Sequence, residues 1–206
     1  MIITSFLFFL AGFIFIGVLS YFAHRNTSRD YLLASSNVKP WLVALSAIAT
    51  TNSGFMFVGM IGFTYSYGLS SIWLMIGWIT GDFIMSFFIH ARLRETTGTT
   101  QTSSYGGALA KWTGIEFKKL RTLIGILTVI FLGTYAAAQL NAGSKALYVL
   151  FGWPYETGAI IGAIIVLVYC IAGGIRASIW TDAAQSFVMF IAMASILFIS
   201  YQTIGG

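Results

Sequence analysis

Charge is scarce in this chain of 206 residues, where Lys, Arg, Asp and Glu together make up 8% of the sequence. An ordinary soluble domain has about 25% charged residues, so these few charges cannot cover a soluble globule of this size. Hydrophobic residues make up 58% instead. The composition therefore predicts a polytopic membrane protein, with the lipid bilayer as its largest partner.

Residues that carry catalytic or metal-binding chemistry are equally few. The single cysteine, Cys170, excludes a disulfide framework and a cysteine-rich metal site. The two histidines, His24 and His90, stand close to arginines at the ends of apolar stretches, where they suit the membrane interface. The sequence contains no nucleophile–base pair, metal-ligand spacing or phosphate loop. We therefore expect neither an enzyme nor a nucleic-acid-binding protein.

Long apolar stretches are what the chain does contain. A membrane-spanning helix needs about 20 mostly apolar residues, and six stretches meet this requirement. They cover residues 3–23, 41–65, 69–91, 123–147, 158–175 and 183–203. Two Gly-x-x-x-Gly pairs, Gly77/Gly81 and Gly158/Gly162, fall inside spans and predict close helix packing. The sequence therefore predicts an all-α protein.

The basic residues lie in alternate connections between these stretches. Every Lys and Arg except Lys145 belongs to the first, third or fifth connection. Because cytoplasmic loops are enriched in Lys and Arg, we predict an integral membrane protein with its N-terminus outside, in a bacterial inner (plasma) membrane. The third connection includes residues 105–112, whose aromatic, basic and small side chains predict a short helix at the inner membrane face.

Residues 46–55 interrupt the second stretch with polar side chains. Four consecutive residues, from Thr50 to Ser53, can form hydrogen bonds, and Gly54 follows them. One interpretation is a break in the helix that faces a binding site, because irregular backbone at membrane depth occurs only next to protein or a water-filled cavity. The alternative is a continuous helix whose hydroxyls bond back to carbonyls one turn earlier. The residues alone leave both open.

The fourth stretch also carries polar residues, namely Tyr135, Gln139 and Asn141. Tyr135 and Gln139 are four residues apart and share a helix face. They can line a cavity with the break or bond between helices, and the sequence favours neither.

Residues 180–182, Trp-Thr-Asp, precede the sixth stretch. Thr181 or Asp182 can cap the start of that helix, where negative charge is favourable. Asp182 is also a candidate for an ion site, and the two roles are compatible.

The chain resembles the sodium:solute symporter family, most closely its sodium/proline symporter branch. The resemblance covers essentially the whole chain, and its motifs are specific only when taken together. They lie at residues 29–34 (RDYLLA), 45–47 (LSA), 53–54 (SG), 67–73 (YGLSSIW), 91–94 (ARLR), 151–156 (FGWPYE), 173–177 (GGIRA) and 180–182 (WTD).

The resemblance implies a leucine-transporter-type fold. Residues 1–206 would form a single transmembrane domain, with 3–23 as an extra N-terminal helix and 41–204 as the first five-helix inverted repeat. The second repeat is absent from these residues, so the resemblance implies an N-terminal portion of a longer transporter whose complete site needs that repeat.

The resemblance also implies the ion ligands. Sodium would be held by the backbone carbonyls of Ala49 and Asn52, together with hydroxyls from the absent repeat. Asp182 would belong to a second sodium site or to the ion exit path.

The substrate site implied by the resemblance lies at the same break. Thr51, Ser53 and Gly54 would meet a substrate carboxylate, while Phe55 and Tyr135 would cover its apolar part. The proline branch commonly has Asp where Thr51 stands and Trp where Phe55 stands, so proline as the substrate is in question.

These observations predict sodium-coupled symport of a small organic solute by alternating access, with an amino acid such as proline as the substrate and Na⁺ as the coupling ion. The alternative is the symporter-like membrane-input region of a sensor histidine kinase. The sequence that follows Gly206 would discriminate between them.

Overall fold

The computed structural model describes residues 2–22 and 27–205, without the side chains of residues 57, 58, 169 and 172. His24 and Arg25 therefore lie outside the described residues. Every regular element in this part of the chain is helical, which confirms the predicted all-α class. The α-helices are α1 (Ile2–Phe22), α2 (Ser28–Leu33), α3 (Pro40–Thr51), α4 (Met60–Tyr67), α5 (Ser71–Thr100), α6 (Tyr105–Ala110), α7 (Lys118–Phe151) and α8 (Tyr155–Ile204).

Four helical stretches of the described residues are long and apolar enough to cross a membrane: Ile2–Phe22, Met60–Thr100, Lys118–Phe151 and Gly173–Ile204. A fifth is added if the segments Ser28–Ser36 and Pro40–Thr51, which meet at 104°, count as one span. The protein is a polytopic membrane protein, as its composition predicts.

The second and third predicted spans are not separated as expected. The spans predicted at 41–65 and 69–91 left residues 66–68 to separate them, but α4 and α5 join through a 3₁₀ turn at Gly68–Ser70, and Met60–Thr100 forms one apolar stretch. The hydroxyls of Ser70 and Ser71 donate to the carbonyls of Tyr67 and Gly68, at 2.7 and 2.9 Å. These bonds surround Gly68, whose φ of +64° and ψ of −147° interrupt the helical backbone between α4 and α5.

The chain divides into two compact units, which are described separately. The first contains Met1–Ser53 and Leu140–Gly206, and α8 is its centre, in contact with α1, α2 and α3. Small residues permit the close approach of these helices. Gly173 of α8 lies directly against the Ser20 hydroxyl, and a Cβ atom on Gly158 would lie 2.9 Å from Ser144 Cα. The packing role predicted for Gly158 is confirmed.

The second unit contains Gly54–Gln139. It begins with a π-helical turn at Phe55–Gly59 and includes α4, α5, α6 and most of α7. The short helix predicted within residues 105–112 is present as α6. The packing predicted at Gly77 and Gly81 is not found, since a Cβ atom on either would meet nothing within 4 Å in the described structure.

Candidate ion and substrate site at a helix break

Helix α3 stops in the middle of the polar run, as the first interpretation predicted. It starts at Pro40, where a missing amide costs nothing, and ends at Thr51. Asn52 leaves the helical conformation, with φ −81° and ψ 81°. The Ser53 amide, which would bond the Ala49 carbonyl in a continuous helix, donates to the Thr51 carbonyl at 3.0 Å. The break thus turns that amide away from Ala49.

The hydroxyls before the break bond back to the helix, as the alternative predicted. Thr50 Oγ1 donates to the Ser46 carbonyl at 2.9 Å, and Thr51 Oγ1 donates to the Ala47 carbonyl at 3.1 Å. The Asn52 side-chain amide donates to the Ile48 carbonyl at 3.0 Å. The continuous helix of the alternative is therefore wrong, although its back-bonding is present: the hydroxyls bond back within the last turn of α3, and the helix breaks directly after it.

In the second unit, Gln139 of α7 bonds the residue that follows the break. The Gly54 amide donates to Gln139 Oε1 at 2.7 Å. Tyr135 lies one turn earlier on α7 and is largely exposed, as is Phe55. Within this unit the Gln139 side chain of α7 thus accepts a hydrogen bond from the backbone of Gly54. Asn141, in the first unit, instead contacts the Tyr155 hydroxyl.

Asp182 lies inside α8 and does not cap it, so the predicted capping role is wrong. The helical residues resume directly after Gly174, and the Thr181 hydroxyl donates back to the Ala177 carbonyl at 2.9 Å. One carboxylate oxygen, Asp182 Oδ2, accepts from Ser46 Oγ at 2.8 Å and from Ser178 Oγ at 3.3 Å. A carboxylate with two hydroxyls is an oxygen-only donor set, which suits a hard cation.

A second interruption, which we call the Gly174 kink, divides α8. Gly174 has φ +57° and ψ −146°, a conformation that glycine alone adopts readily. Its Cα faces the Tyr31 carbonyl, and the Tyr31 hydroxyl donates to the Cys170 carbonyl at 3.1 Å. A segment from the α2 region therefore packs into the kink and occupies it.

A buried ion pair holds this segment in place. Arg176 Nη2 donates to Asp30 Oδ1 at 2.7 Å, and the Asp30 side chain is 0% exposed while that of Arg176 is 11% exposed. The same nitrogen donates to the Ala34 carbonyl at 3.1 Å, and Ser35 Oγ donates to Asp30 Oδ1 at 2.7 Å. Ala34, Ser35 and Ser36 all have φ near +50°. The contacts of Asp30 and Arg176, which we call the Asp30–Arg176 clamp, therefore stabilise an unusual backbone conformation.

Sequence reasoning missed the pair of Asp30 and Arg176. Both residues stand in motifs of the resemblance, and both fall in connections placed on the same side by charge. Their opposite charges were the available signal, but 146 positions separate them and no local pattern links them.

Comparison with known proteins finds one family and several relatives that match this chain. The model of the sodium:solute symporter family matches residues 31–206. The high-affinity proline transporter PutP of Bacillus subtilis is 32% identical over 92% of this chain and 41% of its own length. A sodium/proline symporter of Staphylococcus aureus is 31% identical over 94% of this chain and 38% of its own length.

The chain thus spans about two fifths of the length of these curated relatives. The relatives are transporters and not enzymes, in agreement with the expectation from the sequence. No solved structure matches the chain.

Proposed function

The chain belongs to the sodium:solute symporter family, and on that premise we propose that it forms the N-terminal part of a sodium-coupled transporter for a small organic solute. The observation that carries the proposal is the break after Thr51. It takes the Ser53 amide off the Ala49 carbonyl inside an apolar stretch, where backbone groups that lose a helical partner need another one. Interrupted helices of this kind supply ion and substrate sites in transporters.

The break supplies the ion ligands in this proposal. The carbonyls of Ala49 and Asn52 would bind Na⁺, a co-transported substrate that oxygen dipoles can hold without a full counter-charge. The turned amide of Ser53 supports a role for the Ala49 carbonyl. Asp182, with Ser46 and Ser178, would form a second sodium site or part of the ion exit path, and the two hydroxyls beside its carboxylate support this role.

The same break would bind the organic substrate. Thr51, Ser53 and Gly54 would meet its carboxylate, because amides at the start of a helical segment favour negative charge. Phe55 and Tyr135 would cover its apolar part, and both residues are partly exposed. The names of the relatives make proline the first substrate to test.

The wider architecture is part of the proposal. We place residues 3–23 as an extra N-terminal helix and 41–204 as the first repeat of a leucine-transporter-type fold, working by alternating access. A second repeat would complete the sodium site with hydroxyl ligands. The N-terminus would be outside, in an inner (plasma) membrane.

Uptake by the complete transporter in membrane vesicles tests the coupling. A sodium gradient should drive accumulation of labelled proline, and replacement of Na⁺ by K⁺ should abolish it. Uptake that is unchanged in K⁺ would refute sodium coupling. Residues 1–206 alone should show no uptake, and sodium-driven accumulation by that piece would refute the need for a second repeat.

A further inference from the structure

Helix α6 has two unlike faces. Gly107, Ala108 and Ala110 are buried, and a Cβ atom on Gly106 would lie 3.0 Å from Ile124 Cγ2 of α7. Small residues therefore form a buried face of α6, and Gly106 lies close to the start of α7.

The opposite face of α6 is aromatic and apolar. Tyr105 and Leu109 are four residues apart on α6 and are 61% and 50% exposed, and Trp112, which follows the end of the helix, is 66% exposed. Ile115 and Phe117 continue this exposed surface along the chain. We call these five residues the α6 face.

The α6 face differs from the other exposed apolar residues because it lies outside the membrane-crossing helices. It falls between Thr100, where α5 ends, and the apolar run of α7, which starts after Arg121. Lipid tails cover exposed apolar residues within a span, but residues beyond its end reach the headgroup region. Aromatic rings are favoured at that depth, because they combine an apolar body with a polar edge.

Cations accompany the α6 face. Lys111, Lys118, Lys119 and Arg121 lie in this segment, and Glu116 is the only acid between residues 101 and 122. Glu116 Oε1 accepts a hydrogen bond from Arg121 Nη1 at 2.8 Å, so these two opposite charges form an ion pair. The three lysines therefore give the segment its net positive charge. Lys118 and Lys119 line a shallow cleft together with Phe117.

We propose that the α6 face and Lys111, Lys118 and Lys119 form a binding surface for anionic phospholipid. The rings would lie at the boundary between headgroups and acyl chains, and the ammonium groups would bind lipid phosphates. This surface would anchor the third connection to the membrane independently of transport.

Lipid titration of the purified protein in detergent tests the proposal, with phosphatidylglycerol and phosphatidylcholine as probes and bound lipid counted by native mass spectrometry. The protein should prefer phosphatidylglycerol. Lys118→Gln/Lys119→Gln should weaken its binding roughly tenfold or more and leave phosphatidylcholine binding unchanged. The matched control, Lys39→Gln/Lys145→Gln, removes the same charge elsewhere and should retain the preference.

Three results would overturn the proposal: an unchanged preference in the Lys118/Lys119 variant, an equal loss in the control, or full competition by millimolar inorganic phosphate, which would indicate a small-anion site. A Trp112→Ser variant tests the apolar half and should weaken the binding of both lipids. Since all the substituted side chains are exposed or half-buried, the unfolding temperature without added lipid should match that of the parent.

Discussion

The break after Thr51 and the Gly174 kink both interrupt apolar helices, but they differ in what fills them. At the Gly174 kink, protein fills the interruption: Tyr31 packs against the glycine, and the buried pair of Asp30 and Arg176 holds the segment there. At the break after Thr51, side chains satisfy single groups, such as the Gly54 amide, while Asn52 and Gly54 remain half-buried.

This difference separates a structural interruption from one that can bind ligands. A kink that is filled by a carbonyl, a ring and an ion pair has no room for a substrate. Polar groups that remain accessible at membrane depth can exchange one partner for another. Substitutions at the Gly174 kink should therefore affect folding, and substitutions at the break should affect transport more than folding.

The largest effect is expected from Asp30→Ala. It leaves the mostly buried Arg176 without its counter-charge, and breaking such a pair typically costs about 3–5 kcal/mol. The unfolding temperature in detergent should fall sharply. The charge-swapped double variant Asp30→Arg/Arg176→Asp should recover part of the lost unfolding temperature. An Asp30→Ala protein as stable as its parent would contradict a stabilising role for this ion pair.

Gly174→Ala should rank next. Its backbone conformation costs a residue with a side chain on the order of 1–3 kcal/mol, and the new Cβ atom would also contact the Tyr31 carbonyl. Gly125→Ala in α7 is the matched control, since a Cβ atom there meets nothing within 4 Å. The unfolding temperature should fall for Gly174→Ala and stay unchanged for Gly125→Ala. An equal fall for both variants would show that the backbone conformation of Gly174 is not the cause.

Gln139→Leu should have a smaller effect on stability and a larger one on uptake. It leaves the Gly54 amide without its side-chain acceptor, at a cost of about 1 kcal/mol because the site is half-buried. Initial rates of proline uptake should fall several-fold if the break binds substrate. Gln202→Leu, at the exposed end of α8, is the control. Normal uptake by Gln139→Leu would place the site elsewhere.

The smallest effect is expected from the exposed pair of Glu116 and Arg121. The hydrogen bond from Arg121 lowers the pKa of Glu116 below its ordinary value. Its contribution is therefore present above the ordinary pKa of glutamate and is lost as the pH falls through the lowered pKa. Glu116→Gln should leave the unfolding temperature at pH 7 unchanged, because exposed pairs contribute little. A marked drop in the unfolding temperature would show that this exposed pair stabilises the fold as the buried pair of Asp30 and Arg176 does.

Local patterns were sufficient for the features that depend on neighbours in sequence. Four consecutive polar residues located the break, and the mixed residues at 105–112 located α6. The start of the sixth span was misplaced, because residues 176–182 were interpreted as a polar connection, whereas the helix is interrupted at the single residue Gly174. The partner of Arg176 was not predictable, since helix packing decides which distant loop reaches a kink.

The left-handed backbone at Ala34, Ser35 and Ser36 has a consequence for how this sequence can evolve. Residues with a Cβ atom rarely adopt such φ values, and β-branched residues least of all. Drift at these positions should run toward glycine and asparagine and away from valine and isoleucine. We therefore expect backbone shape to constrain the sequence of the loop before α3, even where its side chains are small and carry no charge.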